Sequence, residues 1–100
     1  MNIKIQSIHF TADRKLIDFI TQKVEKLELF YDQIIDANIY LKLNNHRTKD
    51  NKHVEVKLNI MNYTLFKEAE ANSFEAASDM VTEALKIQIK KHKELLLEKC

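Results

Sequence analysis

The chain contains no glycine and no proline. Without glycine there is no Gly-rich phosphate loop, because such loops need backbone angles that other residues adopt only at a cost. Cysteine occurs once, as the final residue Cys100. A disulfide framework is therefore excluded, and the expected compartment is the cytoplasm. No apolar run approaches the roughly eighteen residues that a membrane span requires. The N-terminus alternates like a strand and lacks the basic region and apolar block of a signal peptide. None of His9, His46, His53 and His92 stands in a His-x-x-x-His pair, and there is no second cysteine, so no metal site is expected. Net charge is only +1, which argues against a generic nucleic-acid binder.

What is present is the composition of a globular domain: 100 residues, 45% hydrophobic and 31% charged, enough for one core and one domain spanning residues 1–100. Met1 to Phe10 alternates as a strand, with a change of parity near Ser7 that suggests a bulge or a strand end. Thr11 or Asp13 can cap a helix running to about Tyr31, with Leu16, Phe19, Ile20, Val24, Leu27 and Phe30 as its apolar stripe. Ile34 to Asn44 returns to period two, placing Ala37, Ile39, Leu41 and Leu43 on one face and Asn38, Tyr40 and Lys42 on the other. Asn45 to Lys52 reads as a loop bearing Arg47 and Lys49. The next strand has Val54, Val56, Leu58 and Ile60 inward and Glu55, Lys57 and Asn59 outward. Met61-Asn62-Tyr63 forms a turn in which Asn62 takes the left-handed conformation glycine would usually supply. Thr64 to Ala71 is a fourth strand, and Ser73 to Lys99 a long helix.

The order βαβββα predicts an α+β domain, with a four-stranded sheet whose last three strands form an antiparallel meander. Only one face of that sheet carries an apolar set, so both helices must pack on it and the other face stays wet.

The last helix sorts its charges by sign. Glu75, Asp79 and Glu83 lie in its first half; Lys86, Lys90, Lys91 and Lys93, with His92 among them, lie in its second. Residues 84–100 carry a local balance of +3 and residues 66–83 one of −4, a dipolar arrangement that orients a protein against a charged partner. At about 100° per residue, Lys86, Lys90 and Lys93 fall within about 60° of one another on an outward stripe. Phe74, Ala77, Val81, Leu85, Ile89, His92 and Leu96 form the core-facing side. Two readings stay open. Acidic residues early and basic residues late complement the helix macrodipole, each by about 0.3–1 kcal/mol; alternatively, the lysines grip a polyanion.

Nothing resembles a catalytic constellation: no nucleophile has a base at useful spacing, and Glu68 and Glu70 read as solvated. No enzyme activity, cofactor or small-molecule substrate is expected. His46 and His53, flanking the polar loop, read as solvated. His92 reads either as a ring partly covered at the core edge or as a recognition residue. Lys23 and Lys26 of the first helix either lay their methylenes along the core edge or emerge on the seam between the helices. In the second case they merge with the lysines of the last helix into one basic face able to follow RNA phosphates and 2′-hydroxyls.

Two segments carry a family resemblance. In the first helix it rests on Phe19, Lys23, Lys26-Leu27-Glu28 and Asp32; in the last, on Ala76-Ala77, Asp79, Leu85, Gln88 and Lys91-His92-Lys93. Together with the βαβββα order, these resemble the short ribosome hibernation-promoting factors, also called ribosome-associated inhibitor or sigma-54 modulation proteins. The resemblance spans essentially the whole chain. It implies a partner, the small ribosomal subunit and its rRNA, and a mode of action. The domain would sit in the channel for messenger RNA and the A- and P-site transfer RNAs, silencing translation and protecting idle ribosomes under stress. By position it implies RNA-facing roles for Lys23, Lys26, Gln88, Lys91 and Lys93, with Lys86 and Lys90 as additions of this chain and His92 between them. Ala84 and Ile87 stand where the family often has basic residues, and Ser73-Phe74-Glu75 replaces an aspartate-methionine-tyrosine start. Long members add a C-terminal domain that pairs ribosomes; the chain stops at Cys100, so ribosome pairing is not expected of it. The competing readings are a stand-alone double-stranded RNA module, whose helix–three-strand–helix plan is similar, and a protein adaptor using the wet sheet face.

Overall fold

The computed structural model describes residues 1–44 and 51–98, the last three of these as backbone. The polar run containing His46, Arg47 and Lys49, the Leu96 side chain, and Lys99 and Cys100 lie outside the described residues. The element order is β1 (Asn2–Ile8), α1 (Arg14–Glu25), β2 (Ile34–Leu43), β3 (Lys52–Ile60), β4 (Tyr63–Ala71) and α2 (Phe74–Glu98). The four strands form one sheet in the order β1-β2-β3-β4. β2, β3 and β4 make the expected antiparallel meander, while β1 lies parallel to β2 at the edge, reached through α1. The parallel pairing follows from the helix between them, since a crossover element returns the chain to the same end of the sheet.

The change of parity near Ser7 marks a strand end. β1 stops at Ile8, and His9 takes a positive φ of 65°. Of the two candidate caps, Asp13 is used: its Oδ1 accepts the Leu16 N–H at 2.8 Å, satisfying one of the orphan donors of the first turn. α1 is shorter than its apolar stripe suggests. It tightens at Lys26 into a 3₁₀ turn, Lys26–Leu29, and the Phe30 and Tyr31 N–H groups both close on the Leu27 carbonyl, at 3.1 and 3.2 Å. A tight final turn occupies carbonyls that a helix end leaves without partners. It also sends Leu27 into the core, leaves Leu29 82% exposed and holds Phe30 half-buried at the domain's edge.

The core lies between the sheet's apolar face and the two helices. Leu16, Ile20 and Val24 of α1 and Ala77, Val81, Leu85 and Ile89 of α2 meet Ala37, Ile39, Leu41, Val54, Val56, Leu58 and Leu65. These alternate positions of the strands and i, i+4 positions of the helices are what their two periods dictate. One inward residue departs from the pattern. Leu43, expected on the buried side, is 47% exposed, because it lies at the end of β2, beyond Leu41, the last core residue of that strand. The Met61-Asn62 turn is as tight as expected, with Asn62 at φ 64°. In β4, Lys67 shares the inward parity of Leu65, with Ala69 and Ala71 packed against the core's margin.

Candidate nucleic-acid interface

α2 is 25 residues long, about 37 Å at 1.5 Å per residue. It runs back over β4, bringing its lysine-rich half to the end of the domain where the 3₁₀ turn and the β3–β4 turn also lie. There Lys86, Lys90 and Lys93 converge on Phe30. The Lys86 and Lys90 ammonium groups sit 4.8 and 5.6 Å from the centre of its ring. Lys93 Nζ donates to the Phe30 carbonyl at 2.7 Å. Three cations are thus gathered by one aromatic residue, through ring quadrupole and backbone dipole. None of the three forms an ion pair among the described residues.

Their placement also bears on the macrodipole reading. The dipole acts mainly within the last turn of a helix, and the last turn of α2 holds no basic residue. The lysines lie further back, so complementing the dipole does not account for them.

The other expected contact residues separate. Lys91 is exposed and Gln88 half-buried; at about 100° per residue both leave α2 on the flank opposite Lys86, Lys90 and Lys93. Lys26 is exposed at the start of the 3₁₀ turn. Lys23 lies between the helices, its Nζ 2.6 Å from Asp79 Oδ1 and 5.6 Å from the Phe19 ring centre. Its charge is matched by that carboxylate, so Lys23 adds little to the positive surface and acts chiefly as a tie between α1 and α2. Both readings of His92 meet in one place. Its ring is half-buried, parallel to Tyr63 at 5.2 Å and 24°, and edge-on to Tyr31 at 5.8 Å and 75°.

Phe30, Tyr31 and Tyr63 were not singled out as site residues from sequence. Phe30 continues an apolar stripe, and the two tyrosines stand at element boundaries. The one available signal is that an aromatic pair follows a helix end directly, where at least one ring has to leave the core.

The opposite end of the sheet's wet face holds a second cluster. Contrary to the expectation of a solvated residue flanking the loop, His53 lies within β3 with its side chain 12% exposed. Its Nε2 is 3.0 Å from Glu55 and 3.4 Å from Glu68, and its Nδ1 is 3.3 Å from Glu70. Strand pairing makes this cluster, since Lys42, His53 and Glu70 stand opposite one another in register, as do Tyr40, Glu55 and Glu68. Burial pushes the Glu55 carboxyl up, but hydrogen bonds from Lys42 and His53, with their charges, outweigh it and hold it below its ordinary value. Ligating atoms of His53, Glu55 and Glu68 lie within 4.8 Å of one another, the only such group among the described residues. The Lys42 ammonium, 3.1 Å from Glu55, already supplies a cation there.

Residues 3–96 match the family model described as sigma 54 modulation protein / S30EA ribosomal protein. Among curated proteins, the chain is 31% identical over 93 residues to a ribosome hibernation promotion factor of Bacillus subtilis, covering 93% of this chain and 49% of that one. It is 29% identical over 94 residues to a ribosome hibernation promoting factor of Pseudomonas putida, covering 94% of this chain and 88% of that one. The chain thus spans about half the length of the first relative and most of the second. Among solved structures, a ribosomal subunit interface protein from Coxiella burnetii superposes with a TM-score of 0.84 at 20% identity, covering 94% of this chain and 99% of that one. The N-terminal domain of Thermus thermophilus Protein Y gives 0.80 at 22% identity, covering 92% and 99%. At such identities the two structures establish a shared fold, and the match over residues 3–96 establishes kinship: the chain belongs to the sigma 54 modulation protein / S30EA ribosomal protein family.

Proposed function

We propose that this domain is a ribosome hibernation factor. It binds the small ribosomal subunit in the channel for messenger RNA and transfer RNA, and it blocks translation by occupying that space while stabilising the idle particle. Binding occurs in the cytoplasm, without cofactor or chemical step, through rRNA phosphates. The observation that carries the reading is the meeting of Lys86, Lys90 and Lys93 on Phe30, a cationic surface on rigid elements with no carboxylate paired to it among the described residues. Such a surface suits a folded polyanion recognised by shape. The names of the curated relatives support the ribosome as the partner. No helix among the described residues is long and apolar enough to cross a membrane.

Cosedimentation with purified small subunits tests the proposal. Binding is expected to weaken steeply from low to moderate salt and to be displaced by messenger RNA with transfer RNA. A plain RNA duplex is expected to compete poorly. Binding that ignores salt and tRNA, or tight binding to the duplex alone, overturns the reading and in the second case favours the double-stranded RNA module.

A further inference from the structure

Beside the lysine cluster lies a cavity of about 400 Å³, lined by Tyr31, Gln33, Met61, Asn62 and His92. Its volume is near the lower end of the ~300–1,000 Å³ range of small-ligand sites, suited to one flat ring system rather than a run of chain. Three elements build it. Tyr31 and Gln33 come from the connection into β2, Met61 and Asn62 from the β3–β4 turn, and His92 from α2. The first two are tied by the Met61 N–H donating to the Gln33 carbonyl at 3.3 Å, and Asn62 is fixed in the left-handed conformation. His92 is stacked on Tyr63 and meets Tyr31 edge-on. The frame is therefore set by backbone and packing before any ligand arrives.

We propose that this cavity takes a single unstacked nucleobase of RNA. The inference rests on the ribosome-binding reading and adds to it a contact made to a base instead of a phosphate. One face of the His92 imidazole is taken by Tyr63, so a base would stack on its other face or on the Tyr31 phenol; the Met61 thioether offers a soft polarizable contact, and the Gln33 and Asn62 amides can donate to and accept from a base edge. Charge complementarity selects a nucleotide over an uncharged aromatic. The backbone carbonyl that Lys93 holds belongs to Phe30, the residue before Tyr31, so an ammonium is held one peptide unit from a lining residue, a charge suited to the phosphate of a base seated there. Lys90 lies over the Phe30 ring itself.

Stacking and charge differ in their salt dependence, and the test uses this. Lysine–phosphate contacts release counterions and set the slope of log affinity against log salt; stacking does not. Fluorescently labelled protein is titrated with purified small subunits over a series of salt concentrations. His92→Leu and Tyr31→Ala are each expected to weaken binding about tenfold at every salt concentration, with the slope unchanged. His92→Phe, which keeps an aromatic face, is expected to stay within about twofold of wild type, which separates stacking from a folding defect. A second arm uses a single-stranded hexauridylate carrying one 2-aminopurine. Its fluorescence is expected to be quenched by wild type and by His92→Phe, and not by His92→Leu. Wild-type affinity for subunits in His92→Leu, or RNA binding without quenching, overturns the base pocket and leaves the phosphate reading standing. Failure of the wild type to bind subunits at low salt overturns both.

Discussion

Two clusters of charge occupy opposite ends of this domain, and they treat their cations differently. On the sheet, the Lys42 ammonium lies 3.1 Å from Glu55, and the His53 ring nitrogens lie 3.0–3.4 Å from Glu55, Glu68 and Glu70. On the helices, Lys86, Lys90 and Lys93 face the ring and the carbonyl of Phe30. A carboxylate cancels the charge it holds; an aromatic face or a carbonyl holds the side chain and leaves its charge whole. The first cluster is consequently a closed network that ties three strands together, and the second an open one with its potential available to a partner. A net charge of +1 conceals this, because one end consumes acidic residues that would otherwise neutralise the other.

Substitutions that exchange the two kinds of partner sharpen the contrast. The largest effect is expected from reversing the open cluster. Lys86→Glu, Lys90→Glu and Lys93→Glu together should weaken small-subunit binding at least a hundredfold and flatten the salt slope by about 2. Circular dichroism should show the fold retained, since Lys90 and Lys93 are exposed and Lys86 only half-buried. Phe30→Leu keeps an apolar side chain and removes the ring. With cation–π contacts contributing about 0.5–1 kcal/mol each at exposed sites, affinity should fall about threefold, read from the same titration. Asp79→Asn moves a lysine from the closed kind of environment to the open kind. Freed of its carboxylate, Lys23 should raise affinity about twofold, at a stability cost below about 1 kcal/mol measured by urea unfolding.

The smallest effect on binding is expected from Glu55→Gln, which should leave subunit affinity unchanged and alter only the pH profile of stability. The folded Glu55 carboxyl is held below its ordinary value of 4.5 by Lys42 and His53 against the pull of burial. Its contribution is therefore present above that ordinary value and lost as pH falls through the lowered one. Wild type should exceed Glu55→Gln in stability at about pH 7 by at most about 1 kcal/mol, and the two should converge in acid.

Much of the framework was legible because its signals are periodic. Val54, Val56, Leu58 and Ile60 alternate, and Leu85 and Ile89 repeat at four, so strand and helix faces follow from the residues alone. The joint placement of Lys86, Lys90 and Lys93 was legible for the same reason. Three things were not. The end of α1 at Glu25 depends on a 3₁₀ turn that keeps the apolar stripe going while changing the geometry beneath it, so Phe30 read as plain core. Lys23 and Asp79 are 56 residues apart in number, and no local pattern shows that two packed helices bring them to 2.6 Å. His53 adjoins a polar run, but the register of three strands surrounds it with carboxylates. Each case is a tertiary neighbour supplied by strand or helix pairing, which single-sequence periodicity does not encode.

Among the described residues, His9 and Asn62 are the two positions where this glycine-free backbone turns left-handed, and they carry a consequence for how the chain tolerates change. A β-branched residue at either position would meet the steric penalty of that conformation with no flexible neighbour to absorb it. A glycine there would relieve the local crowding while adding freedom to the unfolded chain. The Asn62 hinge also forms one wall of the aromatic cavity, so evolutionary drift at this single turn would reshape the mouth of the cavity before it disturbed the core.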